Sequence, residues 1–263
     1  MTFIGQDNLL LELNKFTLDT LPRTCMIEGP SGSGKHTIVN ILADKLGLEV
    51  LNITENLNLE YITELLFKSN PGIYIIDGES LNVKNENIIL KLLEEPLKNT
   101  FIFLLINDSN TLIDTIKNRC YNIKITPYSK QILATFLKPD IEDKELIISL
   151  AQTPGDVLNM QSYPLGEIYN LCVKMFDKIN VANYANTLSL SNQIAFKNEK
   201  DKFNFEIFIN VLLNVAKERV TQFNSNYYEY MITNEFYNKS RIKNIDKKYL
   251  FDNYLIKLKQ CAM

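Results

Sequence analysis

The sequence contains a single histidine and only four cysteines, and neither residue type is arranged as a metal site. Cys25, Cys120, Cys172 and Cys261 are widely separated and form no Cys-x-x-Cys pair. With only one histidine to add to them, we expect no zinc site. Four reduced thiols in a reducing compartment are the expected alternative.

The sequence also has no basic surplus and no long apolar run. It contains 28 Lys and Arg against 31 Asp and Glu, which gives a net charge of -3. A protein that binds nucleic acid alone usually has a basic surplus or a concentrated basic face, so we do not expect strong independent DNA binding. No apolar stretch reaches bilayer length and no charged-then-apolar leader opens the chain, so we expect a cytoplasmic protein without membrane contact.

Residues 24–125 alternate short apolar runs with longer amphipathic ones. The predicted strands are Thr24–Glu28, Leu48–Ile53, Ile73–Asp77, Phe101–Ile106 and Tyr121–Ile125. Amphipathic patterns at 38–46, 62–66 and 88–93 predict helices between them, the first closed by Gly47 and the third stopped by Pro96. This alternation predicts an α/β fold with a parallel five-stranded sheet covered on both faces.

The strand pattern stops after Pro127 and a helical pattern begins. Ser129 can cap a helix that includes Ile132, Leu133, Phe136 and Leu137, and a second helix is predicted at 144–151. The sequence "TPGD" at 153–156 is interpreted as a break, with a further helix starting near Val157.

The rest of the chain is predicted to be helical and rich in aromatic residues. Two apolar faces recur at helical spacing, and both favour a buried core or a subunit interface. Their members are Ile168, Cys172, Met175, Phe176 and Ile179, and Phe208, Val211, Leu212 and Val215. We therefore predict an α/β domain at 1–127, a small helical lid at 128–165 and an all-α C-terminal domain at 166–263.

A glycine-rich segment between the first strand and the first predicted helix has the pattern of a phosphate-binding loop. Its residues are Gly29, Pro30, Ser31, Gly32, Ser33, Gly34, Lys35, His36 and Thr37. Such glycines let successive backbone N–H groups point at a phosphate, and the helix N-terminus adds partial positive charge. Lys35 is expected to reach the β- and γ-phosphates.

One residue of this loop departs from the pattern, which requires Ser or Thr after the lysine as a Mg²⁺ ligand. That position is His36, and imidazole is a poorer Mg²⁺ ligand than a hydroxyl. Thr37 lies a further ~100° around the helix and cannot replace the missing hydroxyl. We expect nucleotide binding with weakened help from the metal, and we interpret His36 as an ordinary helix residue.

An acidic residue should accompany the loop at the end of an apolar strand, and Asp77 in "IYIIDGES" fits this role. The next position normally holds a glutamate that activates water, but here it is Gly78. Glu79 follows one residue later and is expected to face away, because adjacent strand-end side chains point in opposite directions. The sequence therefore predicts a nucleotide site with impaired hydrolysis.

Four stretches together resemble clamp-loader AAA+ subunits, most closely the bacterial delta-prime subunit of DNA polymerase III and its gamma/tau relatives. The stretches are "IGQDNLLLEL", "CMIEGPSGSGKHTIVNILADKL", "NIILKLLEEPLKNTFIFLLIND" and "LIDTIKNRCYNIKI". They lie between residues 4 and 125, and the block from "LEEP" to "RC" is the most specific. The resemblance implies a P-loop AAA+ domain with a helical lid and a C-terminal collar.

The resemblance also implies roles for individual residues. Asn107 falls on the sensor-1 position, which detects the γ-phosphate, and Arg119 falls on the arginine that acts in trans as a finger in a neighbour's ATP site. Asn118 replaces the serine that precedes this arginine in relatives. The stretch "QTPGDVL" replaces the sensor-2 arginine, and the zinc module of many relatives is missing.

The leading hypothesis is a delta-prime-like clamp-loader subunit that binds ATP, and Mg²⁺ at most weakly, with little or no hydrolysis of its own. The implied partners are other AAA+ subunits, a sliding clamp and primer-template DNA contacted through the assembled complex. Two alternatives stay open: an ATP-hydrolysing motor subunit of the same complex, and a helicase-loader-like nucleotide switch.

Overall fold

The computed structural model describes residues 3–53, 72–81, 83–94, 100–179, 204–222, 227–242 and 245–261. Within these ranges, five strands form one sheet: β1 (Thr24–Glu28), β2 (Glu49–Ile53), β3 (Gly72–Asp77), β4 (Thr100–Ile106) and β5 (Tyr121–Lys124). Their order is β2-β3-β4-β1-β5, and every neighbouring pair is parallel. The predicted α/β fold and its strands are confirmed, each strand end within one residue.

The helices, in chain order, are α1 (Asp7–Leu13), α2 (Lys35–Leu46), α3 (Val83–Glu94), α4 (Asp114–Lys117), α5 (Lys130–Ala134), α6 (Lys144–Leu150), α7 (Pro154–Met160), α8 (Leu165–Ile179), α9 (Phe205–Gln222), α10 (Tyr227–Ser240) and α11 (Lys247–Cys261). As predicted, α2 ends at Gly47, which has a left-handed φ of 67°. The helix predicted at 62–66 and the stop at Pro96 lie outside the described residues.

The sheet is buried on both faces, as its near-continuous apolar central strands require. On one face, Ile27, Ile75 and Phe103 belong to a core that includes residues of α1 and α2. On the other face, Met26, Tyr74 and Leu104 belong to a second core that includes residues of α3 and α4. Alternate residues of the same strands supply the two cores, so helices cover both sides of β1, β3 and β4.

The interpretation of "TPGD" as a break is wrong, because this segment begins α7. The Thr153 Oγ1 atom accepts a hydrogen bond from the Asp156 backbone N–H at 3.2 Å, and Asp156 Oδ2 accepts one from the Thr153 N–H at 2.9 Å. This reciprocal pair is a capping box, and Pro154 occupies the first helical position, where proline is favoured. The predicted helix after Ser129 is shorter than expected: α5 ends at Ala134.

The chain divides into two units, Met1–Thr135 with Gln152–Asp156, and Phe136–Ala151 with Val157–Met263. The three-domain division made from the sequence remains a prediction. In the second unit, the two predicted apolar faces are buried in the chain's own core. In the part of the chain that the structure describes, none of the helices combines the length and the apolar character that spanning a membrane requires.

Aromatic rings form much of the core of the second unit. Phe208 and Phe251 pack edge to face, with ring centroids 5.7 Å apart, and Phe236 stacks on Tyr254 at 4.5 Å. The Tyr254 hydroxyl is buried and lies 3.0 Å from Thr233 Oγ1. The Lys259 ammonium donates to the Ile179 carbonyl at 3.0 Å, which satisfies the last turn of α8. These aromatic residues therefore pack in the core of the second unit and do not form an exposed surface.

Candidate functional site

The candidate site lies at the carboxyl ends of the neighbouring strands β1 and β4. The connections that leave these two strands run in opposite directions across the sheet. From β1 the chain continues through α2 to β2, the strand at one end of the strand order. From β4 it continues through α4 to β5, the strand at the other end. In open parallel sheets such a switch point leaves a crevice that binds ligands. The backbone N–H of Gly29 donates to the Ile106 carbonyl at 3.1 Å, which joins the two strand ends at the crevice.

Residues 29–37, the phosphate loop, have a backbone conformation that requires glycine at two positions. Gly32 and Gly34 have φ values of 74° and 95°, a left-handed region that glycine adopts without strain. A Cβ on Gly34 would lie 2.5 Å from the ring of Phe3. Lys35 begins α2 immediately afterwards, so the loop delivers its backbone N–H groups to a helix N-terminus. This is the geometry of an anion-binding loop.

Two neighbouring segments hold the outside of the phosphate loop. The Tyr128 hydroxyl donates to the Ser33 carbonyl at 2.7 Å, and the Gly155 N–H donates to the Gly32 carbonyl at 3.0 Å. A Cβ on Gly155 would lie 2.5 Å from the Cα of Gly32, so the two backbones are in direct contact. The Ser33 Oγ atom is buried and has no hydrogen-bond partner among the described residues. The loop thus retains an unsatisfied polar atom.

Lys35 is surrounded by oxygen atoms. Its ammonium donates to the carbonyls of Gly29 at 2.6 Å and Pro30 at 3.1 Å, and to Asn107 Oδ1 at 2.8 Å. Burial lowers the pKa of Lys35, and the nearby carboxylates of Glu79 and Asp77 act in the opposite direction. The structure therefore places Lys35 and Asn107, which are far apart in sequence, in direct contact beside the loop.

The acidic residues Asp77 and Glu79, at and just beyond the carboxyl end of β3, lie near the phosphate loop. The Asp77 side chain is exposed, and its Oδ1 accepts from the Glu79 N–H at 3.0 Å. A Cβ on Gly78 would lie 2.3 Å from Cγ2 of Ile106, so the position where the sequence motif is expected to have glutamate is in close contact with β4. The sequence pattern showed that a glutamate is missing here, and the packing supplies a physical reason.

The expectation that Glu79 faces away from the site is wrong. Glu79 Oε1 accepts a hydrogen bond from the Asn107 backbone N–H at 2.8 Å. The strand rule does not apply because β3 ends at Asp77 and residues Gly78–Ser80 form a 3₁₀ turn. Asp77, Glu79, Asn107 and Lys35 therefore belong to one polar cluster, which the strand ends bring together.

The residues that could assist a metal ion fit Mg²⁺ only in part. Mg²⁺ prefers hard oxygen ligands, and the exposed carboxylate of Asp77 is one. His36 is exposed at the second residue of α2 and offers nitrogen instead of the hydroxyl that the pattern requires. The two side chains thus offer one hard oxygen ligand and one nitrogen ligand.

Arg119 lies away from this cluster, at the amino ends of the strands, whereas the cluster lies at their carboxyl ends. Its carbonyl accepts a hydrogen bond from Thr24 Oγ1 at 2.5 Å, and Thr24 is the first residue of β1. The phosphate loop begins after the last residue of β1, which places it about 13 Å further along the strand. The guanidinium contacts Glu94, at the C-terminal end of α3, and the Thr115 carbonyl. Arg119 therefore does not contribute to the site formed by its own phosphate loop.

Several residues that contact the phosphate loop or Arg119 could not be identified from the sequence. Phe3, Tyr128 and Gly155 contact the phosphate loop, and Glu94 contacts Arg119. Glu94 belongs to the "LEEP" block that was identified from the sequence, but that pattern gives no indication of its partner. The others act through their position in the fold, which short motifs do not contain.

The sheet order, the loop between β1 and α2 and the polar residues at the ends of β3 and β4 form a P-loop α/β fold of the AAA+ type. Two solved structures with low sequence identity share this fold. A gamma subunit-related protein of DNA polymerase III from Thermotoga maritima has a TM-score of 0.58 at 16% identity, covering 98% of this chain and 100% of that chain. A mutant form of RuvB from the same organism has a TM-score of 0.52 at 17% identity, covering 85% and 79%.

Parts of the chain are similar in sequence to the gamma and delta-prime subunits of DNA polymerase III, the proteins that the sequence motifs indicated. Residues 53–129 match the family described as DNA polymerase III, delta subunit. The gamma subunit of Buchnera aphidicola subsp. Schizaphis graminum is 25% identical over 170 residues, covering 51% of this chain and 47% of that protein. The delta' subunit of Haemophilus influenzae is 32% identical over 88 residues, covering 33% and 27%. The matches thus span less than half the length of either relative.

Proposed function

We propose that this chain is a delta-prime-like clamp-loader subunit that binds ATP and provides Arg119 to the ATP site of an adjacent subunit. It would act in a ring of AAA+ subunits that places a sliding clamp on primer-template DNA. The relationship to the gamma and delta-prime subunits of DNA polymerase III supports this role. The observation on which it chiefly rests is the separation of Arg119 from the chain's own phosphate loop.

Nucleotide binding is supported by the phosphate loop itself. The left-handed glycines, the helix N-terminus and the Lys35 ammonium together suit a triphosphate. The buried and unsatisfied Ser33 Oγ is consistent with a loop that receives a further polar group. Asp77 would help to hold Mg²⁺, which neutralises charge on the β- and γ-phosphates when it is bound. ATP is the ligand that we assign to this site.

Weak hydrolysis is supported by two positions. His36 occupies the place of the hydroxyl that normally ligates Mg²⁺, and Gly78 occupies the place of the water-activating glutamate. The contact between Gly78 and Ile106 leaves no space for a side chain at position 78. A subunit of this kind would retain the nucleotide as a structural ligand.

The trans role of Arg119 is supported by its location. Its guanidinium is partly exposed at the amino edge of the sheet, and its backbone is bonded to the start of β1. A planar and permanently charged guanidinium suits the stabilisation of phosphate charge. Because its own loop lies at the opposite edge, the phosphate that Arg119 meets would have to be bound by another subunit.

One observation favours the alternative of a motor subunit. The Glu79 carboxylate lies beside Asn107, within the same cluster as Lys35 and Asp77. If Glu79 activated water, the isolated chain would hydrolyse ATP and Glu79→Gln would abolish that turnover. We expect instead that the isolated chain has negligible turnover and that Glu79→Gln leaves it unchanged.

Two measurements test the proposed function. Labelled ATP should be retained by the purified chain and lost in Lys35→Ala, whereas Lys91→Ala, which changes an exposed lysine of α3, should retain it. The immobilised chain should capture DNA polymerase III subunits and a sliding clamp, and no replicative helicase. Failure to retain ATP, or selective capture of a helicase, contradicts the proposal.

A further inference from the structure

We propose that Glu94 is a positioning residue for Arg119, which it holds in the orientation needed to meet a phosphate on an adjacent subunit. This inference rests on the proposed function, because that function gives Arg119 its phosphate. It adds a role for a residue outside both the phosphate loop and the finger itself.

The guanidinium of Arg119 is held at both terminal nitrogens. Nη2 lies 2.5 Å from Glu94 Oε1, and Nη1 donates to the Thr115 carbonyl at 2.8 Å. One contact comes from the last residue of α3 and the other from within α4. Two anchors on different helices fix the plane of the guanidinium as well as its position.

The backbone of Arg119 is fixed as well. Its N–H donates to the Ile116 carbonyl at 3.0 Å, and its carbonyl accepts from Thr24 Oγ1 at 2.5 Å. Both ends of a long side chain are therefore restrained, and fewer rotamers remain to be lost when a phosphate is met. These contacts occupy one N–H on each terminal nitrogen, and a guanidinium carries five such donors.

The exposure of the pair argues against a large contribution to stability. The side chains of Arg119 and Glu94 are 35% and 49% exposed. Ion pairs with this exposure contribute little to folding. A finger displaced by about 1 Å, however, can lose much of its rate effect. We therefore expect loss of Glu94 to affect catalysis in the assembled complex more than the stability of the chain.

A double-mutant cycle in the reconstituted complex tests this role. Glu94→Ala should lower kcat for ATP about three- to tenfold with KM unchanged, the result expected for an interaction made in the transition state. Glu94→Gln keeps an oxygen acceptor and should fall between Glu94→Ala and wild type. In an Arg119→Ala background, Glu94→Ala should have no further effect. Asp114→Asn, which removes an exposed carboxylate paired with Lys117 on α4, is the matched control and should leave kcat unchanged.

A second measurement separates this inference from the proposed function. In the isolated chain, NMR should detect hindered rotation of the Arg119 guanidinium, and Glu94→Ala should remove it. Free rotation in the wild type, an equal effect of Glu94→Ala with and without Arg119, or a higher kcat in Glu94→Ala would overturn the positioning role. Unchanged turnover in Arg119→Ala, together with hindered rotation, would instead remove the finger role and leave the contact intact.

Discussion

Gly78 and Ile106 are in contact across the carboxyl ends of β3 and β4: a Cβ on Gly78 would lie 2.3 Å from Cγ2 of Ile106 and 3.0 Å from the Leu105 carbonyl oxygen. The chain therefore has glycine at this position because the neighbouring strand leaves no space. Glu79 follows in the 3₁₀ turn and bonds to the backbone of Asn107 instead. The packing of β4 against the end of β3 thus restricts position 78 to glycine.

Gly78→Ala should destabilise the chain by about 1–3 kcal/mol, the usual cost of an overpacked core. Ile106→Ala removes the opposing Cγ2, so the double variant should be more stable than the sum of the two single effects predicts, by at least about 0.5 kcal/mol. Urea denaturation measures the stability of the two single variants and of the double variant.

Gly78→Glu should fail to create ATP turnover, because the added side chain has no space beside β4. An active and fully stable Gly78→Glu variant would show that packing does not restrict this position.

Gly155→Ala should disturb the phosphate loop, because the added Cβ would lie 2.5 Å from the Cα of Gly32 and backbone atoms cannot rotate away. We expect ATP affinity to fall about tenfold, which corresponds to about 1.4 kcal/mol. Equilibrium binding of a fluorescent ATP analogue measures this change. Leu158→Ala alters an exposed residue of the same helix and should change affinity little. Equal affinities for Gly155→Ala and wild type would remove the coupling between α7 and the loop.

Glu235 provides a pH-dependent contribution to stability in the second unit. Hydrogen bonds from Lys239 and Lys257 lower the pKa of Glu235 from 4.5 to about 2. A carboxylate with a lowered folded-state pKa stabilises the fold above pH ~4.5, and this contribution is lost as pH falls towards ~2. Because the pair is exposed, we expect Glu235→Gln to cost at most about 1 kcal/mol at pH 7.

Urea midpoints at pH 7 and pH 3.5 test this prediction, since the difference between wild type and Glu235→Gln should be smaller at the lower pH. Glu145→Gln changes an exposed carboxylate of α6 and serves as the control. A difference that stays constant or grows on acidification would contradict the assignment of the ion pair.

The sheet could be predicted from the sequence because its central strands are short, continuous apolar runs between helical patterns. The side chains of β4 are buried along its whole length, and such strands need no tertiary information to be recognised. The phosphate loop could be predicted for a similar reason, since its backbone conformation requires glycine at positions 32 and 34. These patterns involve residues that are close together in the sequence, so they can be recognised in a single sequence.

The features that sequence reasoning missed depend on contacts between distant segments. The Glu79–Asn107 hydrogen bond depends on the register between β3 and β4, which cannot be read from a short motif. The pairing of Glu94 with Arg119 requires the end of α3 to lie beside α4. The start of α7 was local but was misread, because Pro154 and Gly155 indicated a turn while Thr153 and Asp156 formed a capping box.

The central claim is that Arg119 serves an ATP site on an adjacent subunit, and ATP turnover by the reconstituted clamp loader tests it most directly. We predict that Arg119→Ala folds and assembles normally but lowers turnover at the neighbouring site by ~10³-fold or more. Arg241→Ala, which removes an exposed arginine that packs over Tyr237, should leave turnover unchanged. Full turnover in a correctly assembled Arg119→Ala complex would contradict the claim.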